Sequence, residues 1–168
     1  MRARPLLGIV IALALLVAPS IGQQRPLFIW NASASVPAGL YRVDQAPHGL
    51  GDLVVLRLPS IIATFAAHGG YLPRSAYLLK PIVAVEGDRV CRFGTRVFIR
   101  RRFAAFARRA DGAGRALPVW HGCRTLEAGQ VFVLADHSAS FDSRYFGPLD
   151  ATSIAGRAVL LWSHRPAS

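Results

Sequence analysis

The chain has 168 residues, enough for one packed domain and a short appendage but not for a second catalytic domain. Apolar residues make up 52% and charged residues 17%, which excludes a disordered chain. The net charge is +11, and nineteen of the twenty basic residues are arginine; Lys80 is the only lysine. The basic excess runs through both halves of the chain, so no isolated basic tail accounts for it. No G-x-G-x-x-G or Walker loop occurs, so nucleotide binding has no support.

In chain order, Arg2 and Arg4 precede an uncharged run over 5–24, most apolar over 6–21. A run of about 17–20 apolar residues is enough to cross a bilayer, and the flanking arginines favour the cytoplasmic side. The pattern predicts a membrane anchor at 1–24 and an exported domain at 25–168. A cleaved secretory signal and a buried helix are the alternatives. Leu27 opens a short apolar run to residue 30, read as a strand. Residues 31–39 are a Ser-, Ala-, Pro- and Gly-rich loop, and 39–43 resume an extended pattern. Gly51-Asp52 is a turn before a β-favouring run at 53–58. Residues 59–73 hold two prolines and two glycines and predict a short helix or an excursion at the sheet edge.

The apolar run 77–85 contains Lys80 and Pro81, and Pro81 argues against a central, fully paired strand position. Gly87-Asp88 makes the next turn, followed by 89–93 and a short strand at 97–101. Residues 100–109 are basic, with Phe103 and Phe106 interleaved. Residues 111–117 read as an exposed loop, 130–135 as a strand, 136–148 as a polar loop and 158–163 as a closing strand. Many short strands with Gly-Asp turns predict a small, mostly β domain of sandwich or barrel type.

Cys91 and Cys123 suit an oxidising compartment, where they would close a loop of about thirty residues. Two buried free thiols are the alternative. Two cysteines are too few for a zinc site, and the five histidines lack ligand spacing. No metal or cofactor is expected.

Lys80 is the informative residue, because a lysine can lose its proton and an arginine cannot. Its neighbours Leu78, Leu79, Ile82 and Val83 are apolar, and burial lowers a lysine pKa. A lysine near neutrality can act as a general base, whereas a snorkelling lysine is the bland alternative. The loop 31–39 offers Ser33 and Ser35 as nucleophiles. Farther on, Asp142 and Arg144 can form a buried pair that fixes the polar loop. His137 and Asp142 leave room for a Ser-His-Asp reading, which lacks a G-x-S-x-G elbow.

Four segments in this order resemble the S26 signal peptidases, serine endopeptidases with a Ser-Lys dyad, and in particular their conjugative-transfer branch. NASASVPAGLY at 31–41 is similar to the nucleophile box and implies Ser35 as the nucleophile. GDLVVL at 51–56 is similar to the strand entering the catalytic sheet. YLLKPIVAVEGDRVCR at 77–92 implies Lys80 as the general base, with Pro81 where the family usually has a basic residue. SFDSRYFGP at 140–148 matches the box that braces the site. It implies that Asp142, Ser143 and Arg144 orient the Lys80 strand, with Ser33 as a further supporting hydroxyl.

The resemblance implies an S26 signal-peptidase-like β domain behind one N-terminal transmembrane helix. It places the protein in the bacterial inner membrane as a single pass, with the catalytic domain periplasmic. The implied activity is acyl-enzyme cleavage of an exported precursor, the pilin subunit in the transfer branch. The implied partners are that precursor, membrane lipid and other components of the conjugation apparatus. A non-enzymatic envelope component is the alternative and would need neither Ser35 nor Lys80. Nucleic-acid binding by the Arg100–Arg109 region is not expected, since export removes it from most DNA.

Overall fold

The computed structural model describes residues 25–163. Eleven strands, β1 to β11, form two antiparallel sheets. In chain order, β1 is Phe28–Asn31, β2 Gly39–Asp44 and β3 Leu53–Arg57, followed by helix α1, Ser60–His68. Then come β4 Tyr77–Ala84, β5 Arg89–Phe93, β6 Arg96–Ile99, β7 Arg102–Phe106, β8 Gly122–Thr125 and β9 Gln130–Val133. A short helix α2, Ser143–Phe146, leads to β10 Leu149–Asp150 and the long closing strand β11 Ile154–Ser163. The larger sheet has the order β1-β2-β11-β3-β4-β9-β10, and the smaller has the order β7-β6-β5-β8.

β3 and β4 occupy the middle of the larger sheet because their side chains are apolar on both faces. Val54, Leu56, Leu78 and Ile82 join Val131, Val133, Leu149 and Ile154 in one cluster. Val55 and Leu79 join Tyr41, Val43, Ala155 and Ala158 in another. A strand covered on both faces reads as a continuous apolar run rather than an alternating one, and LVVL and YLL do so. The smaller sheet packs through Val90 and Val97 onto Trp120, Phe132 and Tyr145.

Pro81 lies in β4 between β3 and β9, so it does sit in a central strand. The Ile82 amide donates to Asp52 on the β3 side, so the Pro81 nitrogen faces the β9 side. The ladder to β9 starts only at Ile82 opposite Val133. The Leu134 amide donates to the Pro81 carbonyl at 3.2 Å, and proline returns no N–H, so the pairing at this end of the ladder is one-sided. At the next turn Gly87 has φ +81°, left-handed backbone that glycine adopts without a Cβ penalty. Asp88 closes that turn by accepting the Val85 amide at 3.0 Å.

The basic stretch after residue 99 is a hairpin. β6 turns through Arg100 and Arg101, both at positive φ (50° and 66°), into β7. Asp88 holds the turn by accepting from Arg100 at 2.6 and 3.0 Å. β8 escaped sequence reading because GCRT is mostly exposed and carries no apolar alternation. It is recruited by pairing with β5, where Cys91 stands opposite Cys123 and the two are disulfide-bonded. Replacing both cysteines by serine is expected to lower stability by about 2–4 kcal/mol, since the bond closes a loop of moderate length. Chemical denaturation checks this, and an unchanged midpoint would contradict it.

The expected transmembrane helix is corrected. Among the described residues no helix is long and apolar enough to cross a membrane. α1 has nine residues and spans about 14 Å, less than half the apolar thickness of a bilayer. The single-pass inner-membrane placement with a periplasmic domain rested on that span, and no helix among the described residues supports it. Residues 1–24, on which the anchor expectation fell, lie outside the described residues.

Candidate active site

Asn31, at the end of β1, organises the loop that carries both candidate serines. Its side-chain amide donates to the carbonyls of Ser33, Val36 and Pro37 at 3.0–3.1 Å. Its oxygen accepts from the Ser33 amide at 3.1 Å and the Ser33 hydroxyl at 2.8 Å. Tyr41 adds a sixth tie by donating to the Pro37 carbonyl at 2.7 Å. A polar loop is thereby fixed by one nearly buried amide, which places Ser35 against the 136–142 loop. The Ser35 hydroxyl donates to Ser140 Oγ at 3.3 Å.

Lys80 comes from the middle of β4, opposite Val54 of β3, and is 4% exposed. Its Nζ donates to the same Ser140 Oγ at 2.9 Å. Ser140 thus stands between Ser35 and Lys80 and touches both. Burial pushes the Lys80 pKa down to about 8, because removal from water disfavours the charged amine. The Asp142 carboxylate opposes this and the Arg144 guanidinium assists it.

Asp142 and Arg144 form a buried, two-pronged ion pair. Arg144 Nε reaches Asp142 Oδ1 at 2.7 Å, and Nη2 reaches Oδ2 at 3.0 Å. The Asp142 carboxylate also accepts the Ala135 amide at 3.1 Å, and Arg144 donates to the Ala135 carbonyl. Ser143 Oγ accepts the Val133 amide at 3.1 Å. These three residues therefore dock the loop onto β9 and its extension, the strand beside β4. None of them bonds to Ser35 or Lys80. Asp142 is fully engaged by Arg144 and backbone, and His137 is exposed, its Nδ1 accepting the Ala139 amide. The Ser-His-Asp arrangement is not built.

Ser35 and Lys80 open into a cleft of about 360 Å³ lined mainly by apolar side chains, among them Ile29, Leu79, Tyr71 and Phe141. A larger cavity of about 510 Å³, between Arg57 and Ile154, contains none of the candidate residues. The cleft that holds the titrating amine and hydroxyls has the means for chemistry. Among the described residues no three His, Cys, Asp or Glu side chains gather as metal ligands.

A family model described as signal peptidase, peptidase S26, matches residues 2–163. The chain belongs to this family. Among S26 relatives, a plasmid transfer protein TraF of Escherichia coli is 32% identical over 145 residues, covering 79% of this chain and 82% of the relative. A probable conjugal transfer protein TraF of Sinorhizobium fredii is 34% identical over 148 residues, covering 81% and 77%. The conjugal transfer protein TraF of Agrobacterium tumefaciens is 33% identical over 148 residues, covering 81% and 82%. These relatives bear out the resemblance to the conjugative-transfer branch.

Within this S26 domain two residues went unmarked as individuals in the sequence, Ser140 and Asn31. Ser140 heads the SFDSRYFGP segment two positions before Asp142, and that spacing was its only signal. Ser33 and Ser35 were both noted, and the structure separates them. Ser33 is bound to Asn31 within its own loop, while Ser35 faces Ser140 and, beyond it, Lys80.

Proposed function

We propose that the protein is a serine endopeptidase in which Ser35 attacks a peptide carbonyl and Lys80 serves as general base. The observation that carries this reading is the buried Lys80 amine, lowered to about 8 and sharing the Ser140 hydroxyl with Ser35. A neutral Lys80 amine takes the Ser35 proton as Oγ bonds to the scissile carbonyl carbon. The C–N bond then breaks, the leaving amine takes a proton from the lysine ammonium, and an acyl-serine remains. Water loses a proton to the same amine and attacks the ester, the C–Oγ bond breaks, and the lysine ammonium returns the proton to Ser35 Oγ as the new carboxyl end is released. The Ser35 backbone N–H is the candidate oxyanion donor. Apart from Lys80 the cleft presents no charged side chain, so it suits an extended peptide with uncharged, apolar residues.

The substrate in this reading is the precursor of an exported protein, the pilin subunit of a conjugative transfer system. Support for the system comes from relatives whose names specify plasmid and conjugal transfer. The test is incubation of the full-chain protein with a pilin precursor, read by intact mass. One cut is expected with the native chain and none with Ser35→Ala.

A second reading has a specific observation behind it. The relatives are named for transfer and not for proteolysis, and Ser35 bonds to Ser140 rather than to Lys80. A non-enzymatic component of the conjugation apparatus would share the fold and need no dyad. Under that reading Ser35→Ala leaves conjugation unchanged; under the peptidase reading it abolishes transfer together with precursor cleavage.

Ser140→Ala separates the roles within the site. It removes only the hydroxyl shared by Lys80 and Ser35, so the chain should fold normally and lose about 10²-fold in kcat with little change in KM. An unaltered kcat would remove Ser140 from the machinery.

A further inference from the structure

Tyr71 lies in the connection between α1 and β4, and its ring forms part of the wall of the cleft that Ser35 and Lys80 open into. Three structures hold that ring. It stacks on Phe65 of α1 and on Phe141 beside Ser140, both with centroids 5.9 Å away. Its hydroxyl donates to Asp111 Oδ2 at 2.5 Å. Asp111 also accepts from Arg115 Nε at 2.7 Å and from the amides of Ala113 and Arg115, both at 2.8 Å. The Arg115 guanidinium lies 5.0 Å from the Tyr71 ring centroid. The connection makes room for the ring, since a Cβ added at Gly69 would come within 2.2 Å of Tyr71 Cε2.

Neither Asp111 nor Arg115 lines the cleft. They belong to the loop between β7 and β8, far from the Ser35 loop in sequence. Their contact with the catalytic region among these bonds runs through the Tyr71 ring. An unclasped tyrosine can change rotamer at small cost and let a larger ligand in. A ring fixed by an ion-paired carboxylate and two stacked neighbours cannot yield in that way, and a fixed wall discriminates by size.

Resting on the peptide-cleft reading above, we propose that Tyr71 is a specificity-determining residue, clasped by Asp111 and Arg115 so that its ring sets the largest apolar side chain the cleft admits. The ligand class is an extended peptide, and the property read is the bulk of one uncharged side chain. The clasp lies outside the reacting groups, so it acts on selectivity and not on proton transfer.

The test measures binding apart from cleavage. Full-chain protein carrying Ser35→Ala is titrated with fluorescent ten-residue peptides bearing Ala, Val, Leu or Phe at one position, each position being varied in turn. Anisotropy gives the ratio of Kd for the Phe peptide to Kd for the Ala peptide. At the position that enters the cleft, adding Tyr71→Ala should lower this ratio by about tenfold, the scale on which an apolar pocket discriminates by size. Asp111→Asn and Arg115→Gln should lower it in the same direction by about threefold, although neither side chain reaches the peptide. Should Tyr71→Ala fail to fold, these two variants decide the matter. Unchanged ratios at every position, or no peptide binding to the clasped chain, overturn the proposal. If the ratios shift while the Ser35 chain cleaves no precursor, the peptidase reading fails and the size-selecting peptide cleft stands.

Discussion

Lys80→Arg in the full chain is expected to fold and to lose about 10²–10⁴ in precursor cleavage, the usual cost of a lost general base. Arginine keeps length and charge but supplies no neutral form near neutral pH. A snorkelling lysine would tolerate the exchange, but Lys80 is buried and donates to Ser140, so charge conservation is not the relevant property. The native pH profile should carry the same signature. The pKa of about 8 leaves about one amine in ten neutral at pH 7. The base is active in its neutral form, so kcat/KM should rise about tenfold per pH unit below that value and level off above it. Ser33→Ala should retain measurable cleavage, because the Ser33 hydroxyl is committed to Asn31. Near-normal cleavage by folded Lys80→Arg would instead overturn the assignment of Lys80 as the base.

Asp142→Ala is expected to cost about 3–5 kcal/mol of stability, because it leaves the Arg144 cation buried without its counter-charge. Asp142 is 0% exposed and Arg144 1%, so water cannot take the place of the carboxylate. The Ala135 amide loses its acceptor in the same step. Urea unfolding checks this, and a loss below about 1 kcal/mol would show that the pair is dispensable. Asp142→Asn gives a second, independent readout. The Asp142 charge holds the Lys80 pKa up, so neutralising it should move the acid limb of the activity profile to lower pH. A shift in the opposite direction would show that Asp142 governs Lys80 through geometry and not through charge.

Much of the site was legible in the chain because its signals are local. A single lysine inside YLLKPIVAV announces burial, and burial is what lowers its pKa. A serine loop fixed by Pro37 and an Asp-x-Arg pair two residues after Ser140 are similarly short-range patterns. The central strands were legible because an apolar run such as LVVL has no stable place on a surface. What the residues did not reveal is instructive for the same reason. β8 has no apolar pattern of its own, and it exists because β5 offers an edge with Cys91 opposite Cys123. The hairpin at Arg100 and Arg101 looked like a basic patch because two arginines at positive φ carry no turn signature.

The β class, the two turns at Gly51 and Gly87, the family, and Ser35 and Lys80 as candidates could all be read from the residues alone. Each of these follows from residues close in the chain or from a short motif. Folding alone places Ser140 between Ser35 and Lys80 and brings Asp111 to Tyr71. These contacts join segments brought together by the sheet order β1-β2-β11-β3-β4-β9-β10. That order depends on which apolar faces bury one another across the whole domain, and no local pattern encodes it.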